Sequence, residues 1–149
     1  MHIPLTPKIL ILESQLIIAA DVSLQFSKLG YDVLGIHSCP VDALPTIQRN
    51  PPDIVVMNIG LLRKAAGLKA ARSIAETWRI PMVYLSANSG KEVLKAIIHV
   101  QPHAFISKPF DQQDLKRGIE TTLRRMASER LYGSKPKTPT KEVPLVLSE

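Results

Sequence analysis

Pro52-Asp-Ile-Val-Val-Met-Asn-Ile-Gly-Leu61 is the stretch on which the fold turns. Between Asp53 and Asn58 it is apolar throughout, and Ile54, Val55 and Val56 are β-branched. An uninterrupted apolar run of this length, with no polar alternation, marks a strand covered on both faces. Working outward, Lys8-Ile-Leu-Ile-Leu-Glu13 upstream and Pro81-Met-Val-Tyr-Leu-Ser86 downstream have the same character. Tyr31-Asp-Val-Leu-Gly-Ile36 and Ala104-Phe-Ile-Ser107 complete a set of five strands.

A helical pattern follows each strand. Residues 15–29 form the first, with Ile17, Ala20 and Leu24 on one face, Ile18 and Val22 beside them, and Gly30 at the C-terminal cap. Ser38 is expected to cap a second helix running to Arg49, kinked or shortened by Pro45. Residues 66–78 turn Leu68, Ala71, Ile74 and Ala75 inward, and 91–99 form a fourth helix. Asp111 caps the last helix, with Asp114 three residues on and Leu115, Ile119 and Leu123 along one face. Strands and helices alternating in this way give parallel strands joined by right-handed crossovers, a three-layer α/β/α sandwich. A single domain is expected over 1–130. Residues 131–149 hold Pro136, Pro139 and Pro144 among Lys, Thr and Ser, and read as a flexible tail too short for a second domain.

Composition narrows the function classes. The chain has 149 residues, 45% hydrophobic and 21% charged, as soluble globular proteins do. No apolar run could span a bilayer and Met1 to Lys8 lacks the apolar core of a secretory signal, so a cytoplasmic protein is expected. The single cysteine, Cys39, fits a reducing compartment. Net charge is +6, with Arg63, Lys64, Lys69 and Arg72 in one segment and Lys116, Arg117, Arg124, Arg125 and Arg130 in another. Aromatics do not interleave with these charges. Solvated helix faces account for them, and nucleic-acid binding is the rival that a steep salt dependence would reveal.

Ligands of an open parallel sheet bind beyond the carboxyl ends of its strands, where strand order switches direction. The residues there are Glu13 and Ser14, Asn58, Ser86, and Lys108 with Pro109. No Gly-x-Gly-x-x-Gly or Gly-x-x-x-x-Gly-Lys accompanies them, so no nucleotide loop is expected.

Ile9-Leu-Ile-Leu-Glu13, Pro52 to Leu61, Pro81-Met-Val-Tyr-Leu-Ser-Ala87 and Phe105-Ile-Ser-Lys-Pro-Phe110 together resemble the receiver domain of two-component response regulators. The similarity runs in register over about 8–126. It implies a flavodoxin-like, doubly wound sheet of order 2-1-3-4-5. In active members, acids after the first strand and an aspartate ending the third hold Mg²⁺, and that aspartate takes a phosphoryl group from a histidine kinase. By the resemblance, Ser86 is the switch hydroxyl, Phe105 the switch aromatic, and Lys108 the amine that grips the phosphoryl oxygens. The Lys108–Pro109 bond is expected cis.

The departures from that pattern carry the functional reading. Asn58 stands at the acceptor position and Ser14 at the second acid, leaving Glu13 and the Gly60 carbonyl as the remnant metal site. An acyl phosphate needs a carboxylate nucleophile, which an amide is not. Mg²⁺ needs hard anionic oxygens, so binding is expected to be weak or lost, with Glu13 facing Lys108. The expectation is therefore a stand-alone receiver-like module of phosphorelay signalling. It is not an enzyme, and it acts by protein contact with a histidine kinase or another regulator. A homodimer through the fourth helix, fifth strand and fifth helix is expected too. The alternative is a conventional receiver in which Asn58 replaces a native aspartate.

Each residue also has a structural reading. Ser14 caps the first helix, Asn58 hydrogen-bonds Lys108 or nearby backbone as an isosteric placeholder, Ser86 serves a turn, and Trp78 packs. His99 and His103 are separated by Pro102, which argues against a shared metal.

Overall fold

The computed structural model describes residues 6–86, 95 and 100–131. Five strands form one parallel sheet: β1 (Lys8–Leu12), β2 (Asp32–His37), β3 (Ile54–Asn58), β4 (Met82–Ser86) and β5 (Ala104–Ser107). Their order is β2-β1-β3-β4-β5, as the resemblance implied. The helices are α1 (Leu16–Lys28), α2 (Pro40–Arg49), α3 (Ala65–Glu76) and a C-terminal helix, Gln112–Leu131; a 3₁₀ turn, Ile59–Leu62, follows β3. The expected fourth helix lies outside the described residues apart from the helical Lys95, as do His99 and the tail beyond Leu131.

The continuous apolar strands split their side chains between two cores, because successive residues point to opposite faces. Leu10, Leu12, Val55, Met57, Met82 and Tyr84 pack with α2 and α3. Ile9, Ile11, Val56, Val83, Leu85 and Ile106 pack with α1 and the C-terminal helix. Trp78 is partly buried against the first core, as a packing residue.

Three local expectations need correction. The inward face of α1 is Ala19, Val22 and Phe26, while Ile17 and Leu24 face solvent. Apolar residues cover both faces of this helix, so periodicity alone does not choose between them. Neither Ser14 nor Ser38 caps a helix: the flanking residues are Gln15 and Cys39, without side-chain caps, and α2 opens on Pro40, whose preset φ suits the first turn. Pro45 sits inside α2 without ending it.

Other signals hold. Gly30 has φ of 90° after α1, where its amide bonds the Ser27 carbonyl and the Tyr31 amide bonds the Phe26 carbonyl. With the Phe26 and Tyr31 rings 6.0 Å apart, this is a Schellman stop with its hydrophobic contact. Asp111 and Asp114 cap the C-terminal helix reciprocally, each carboxylate accepting from the other's amide at 2.8 and 2.9 Å.

Candidate functional site

β1 pairs with β2 on one side and β3 on the other, so the sheet's switch in direction falls between β1 and β3. Glu13 leaves the end of β1 and is 1% exposed. A carboxylate that deep needs donors for its oxygens. Oε1 accepts from Asn58 Nδ2 at 2.9 Å, and Oε2 accepts from the Gln15 amide at 2.9 Å, at the start of α1. Glu13 thus braces the turn that leads into α1, which has no side-chain cap, and Ser14 is exposed.

Asn58 ends β3 half-buried. Its Oδ1 accepts from the Gly60 amide at 2.8 Å and caps the 3₁₀ turn. The amide can sit only this way round. Flipped, its oxygen would face a carboxylate and its NH₂ an N–H. Asn58 therefore bonds nearby backbone, as one of its structural readings held, but not Lys108.

Across the crevice, Ser86 is buried at the end of β4, and its carbonyl accepts from the Lys108 amide at 2.8 Å. The Lys108–Pro109 bond is cis. Lys108 is half-buried, and no hydrogen bond or ion pair joins it to Glu13 or Asn58. The crevice thus brings Glu13, Asn58 and Gly60 into one bonded unit and leaves Lys108 outside it. Phe105, half-buried on β5, lies edge-on to Tyr84 with ring centroids 5.7 Å apart. Tyr84 is fully buried and its hydroxyl donates to the Val100 carbonyl at 2.6 Å; burial raises its pKa far above the usual phenol range.

Residues 9–120 match the response regulator receiver domain family. This chain belongs to that family. The receiver is 28% identical over 118 residues to the transcriptional regulatory protein PdtaR of Mycobacterium tuberculosis, covering 79% of this chain and 57% of that protein. It superimposes on the signal receiver domain of a modulated diguanylate cyclase from Desulfovibrio desulfuricans with TM-score 0.74 at 27% identity, covering 83% of this chain and 98% of that one. A third match is the anti-anti-sigma factor PhyR from Bartonella quintana, TM-score 0.69 at 25% identity, over 86% of this chain and 52% of that one. The chain spans about half the length of the curated relatives it matches. The family's place is two-component signalling.

A second feature of this receiver lies on the outer side of β5, the sheet's edge strand. The open groove there measures about 660 Å³, within the range of about 300–1,000 Å³ usual for ligand clefts. It runs between β5 and the C-terminal helix, lined by Phe105, Ser107, Asp114, Arg117 and Arg125 among others. Gly118 lets the helix lie close, since a Cβ there would come within 2.7 Å of Ile106 Cδ1. Of the basic residues on that helix, Arg117 and Arg125 line the groove and Lys116 does not.

Three participants escaped the sequence reading. The Gln15 amide serves through its backbone, which no side-chain pattern reveals. Tyr84 was read as a strand residue, although its register partner is Phe105, two strand neighbours on one face. Arg63 was counted among solvated charges, yet its Nη1 would be 3.4 Å from a Cβ on Gly60, a position 3.2 Å from Asn58 Oδ1. Its guanidinium therefore hangs beside the crevice.

Proposed function

We propose that this receiver accepts no phosphoryl group and signals by binding a protein partner. The observation that carries the reading is the bonding of Asn58, whose two polar atoms are both committed, to Glu13 and to the Gly60 amide. A neutral amide at this place offers no nucleophile for an acyl phosphate. Nor does the donor set fit Mg²⁺. The cation wants anionic oxygens in an octahedron, and here the sole carboxylate has one oxygen on an amide NH₂ and the other on a backbone N–H. Mg²⁺ binding is therefore weak or lost, and no residue is assigned a catalytic role.

The groove of β5 and the C-terminal helix is the surface proposed for a protein partner, a histidine kinase or another regulator. That one relative is described as an anti-anti-sigma factor supports a protein as the partner. Among the described residues no helix is long and apolar enough to cross a membrane, and the reading puts the receiver in the cytoplasm.

Incubation with acetyl phosphate and Mg²⁺, followed by intact-mass measurement, tests the proposal. The mass stays unchanged if the reading holds. Gain of one phosphoryl group, mapped to the crevice, overturns it.

A further inference from the structure

The end of the sheet opposite the crevice carries a depression of its own. It has two lobes, of about 480 and 400 Å³, each within the range of about 300–1,000 Å³ usual for ligand clefts. They lie where α3 ends, β4 begins and the C-terminal helix finishes, and Arg79, Ile80, Pro81, Met126 and Arg130 line both. Trp78, half-buried, walls the second lobe.

We propose that this depression binds a small organic monoanion, a carboxylate carried on an apolar body. Charge selects the anion. Asp53 and Glu129 also line the lobes, but both are committed: Asp53 accepts from the Lys8 amide at 2.7 Å, and Glu129 pairs with His103 Nε2 at 3.2 Å. Among the described residues, no hydrogen bond or ion pair holds the side chain of Arg79 or Arg130. With His103 neutral, Lys8, Arg79 and Arg130 set against Asp53 and Glu129 leave an excess of one positive charge. One carboxylate neutralises it, and the planar fork of a guanidinium matches the two oxygens of that group.

The backbone supports the same assignment. The chain leaves α3 through Arg79, whose φ of 57° lies in the left-handed region that favours glycine, and the Ile80 amide closes the turn on the Ile74 carbonyl at 3.2 Å. A long cationic side chain at such a position carries strain that glycine would relieve, and strain of this kind gathers at ligand sites. The apolar body of the ligand is matched by Ile80, Pro81 and Met126, which line both lobes beside the arginines. An extended peptide is a poorer occupant. β4, the strand that starts here, is interior to the sheet, between β3 and β5, and has no open edge to pair with one.

Fluorescence of Trp78, the only tryptophan of the chain, reads the proposal on the full protein. Titration with 3-phenylpropionate should change its emission in a saturable way. Over the same concentrations 3-phenylpropanol, the body without the charge, and acetate, the charge without the body, should not. Arg79→Gln and Arg130→Gln should each weaken 3-phenylpropionate binding about tenfold or more, the order of one hydrogen bond to a charged group. Arg79→Gly separates holding a ligand from holding the fold. Glycine suits the left-handed turn, so the melting temperature should rise while binding falls. No saturable change with 3-phenylpropionate overturns the proposal, as does an equal response to 3-phenylpropanol or binding indifferent to both glutamine variants. So does an Arg79→Gly protein that melts lower, since the arginine would then serve the fold. A response to poly-glutamate with none to 3-phenylpropionate also overturns it, and would assign the arginines to an acidic protein.

Discussion

The crevice between β1 and β3 and the groove outside β5 belong to one sheet, yet they handle polar groups in opposite ways. In the crevice, donors and acceptors close on one another: Glu13 on Asn58 and Gln15, Asn58 on Gly60. Outside β5, Asp114 and Arg117 pair on an exposed helical turn and the groove beside them stays open. On the proposed reading, a unit whose two carboxylate oxygens each already accept a hydrogen bond is a poor host for a phosphoryl group or a cation. An open edge with charged walls still has a surface to offer a protein. On that reading, an amide at position 58 takes away the chemistry of the crevice while leaving packing, and hence a binding shape, in place.

Breaking the crevice from outside should have the largest effect. A Cβ on Gly67 would stand 2.2 Å from the Leu61 carbonyl oxygen, which belongs to the turn that Asn58 caps. That neighbour is backbone and cannot rotate away. Overpacking of this kind costs about 1–3 kcal/mol or more, against at most about 1 kcal/mol regained from alanine's helix propensity. Gly67→Ala should lower the melting temperature by several degrees. Gly118→Ala, whose close neighbours are side-chain atoms of Ile106 and not backbone, should lower it less. Equal losses at both positions would erase the distinction between a rigid crevice and a yielding groove.

Recharging the crevice is the next test. Asn58→Asp exchanges the NH₂ donor for a second carboxylate next to Glu13, with no cation bonded to either. Losing that donor and leaving two acids in contact should cost about 1–3 kcal/mol at neutral pH. The pair would hold a proton more tightly when folded than unfolded. A carboxyl raised in this way is stabilising at low pH and loses that contribution as pH rises through its folded pKa. The variant's deficit should therefore shrink on acidification, in contrast to the parent. Mg²⁺ should do little for the single variant and bind once Ser14→Asp supplies a third carboxylate. Tight Mg²⁺ binding by Asn58→Asp alone, in a calorimetric titration, would show that Ser14 is harmless.

What the sequence revealed and what it hid follow from the range over which each signal acts. The strands were legible because Ile9 to Leu12 and Ile54 to Met57 are continuously apolar, and that pattern has few other uses in a chain of this kind. Gly30 was legible as a helix stop because φ of 90° suits little else. The face of α1 was not, since Ile17 and Leu24 are as apolar as Val22 and Phe26, and only the sheet decides which stripe is buried. At the site, the residue types at the strand ends were readable, but their partners were not. Glu13 and Asn58 are 45 residues apart, and whether that carboxylate turns to an amide or to Lys108 depends on geometry the chain does not spell out locally.

The smallest effect separates the two contacts of Tyr84, which ties the β5 side of the sheet to the core. Its hydroxyl bonds the Val100 carbonyl, and its ring meets Phe105 edge-on. Tyr84→Phe removes the first and keeps the second. The expected loss is about 1 kcal/mol, the net worth of one such hydrogen bond. Phe105→Leu removes the second contact. Combined with Tyr84→Leu in a double-mutant cycle, it should show a coupling of about 0.5–1.5 kcal/mol, as aromatic pairs do beyond their buried area. Alkaline pH sharpens the assignment. Burial raises the Tyr84 phenol well above its ordinary value, so the neutral form is the folded form. A raised acid stabilises below its unfolded pKa, near 10, and loses that contribution as pH climbs beyond it. Chemical denaturation from neutral pH to above pH ~10 should show the parent losing stability faster than Tyr84→Phe, which has no phenol to ionise. Tyr31, raised by burial and by the charge of Glu120, adds a loss shared by both proteins. Parallel curves for the two proteins would mean that Tyr84 is reached by solvent before the fold opens, and the yielding of the β5 side would then extend into the core beneath it.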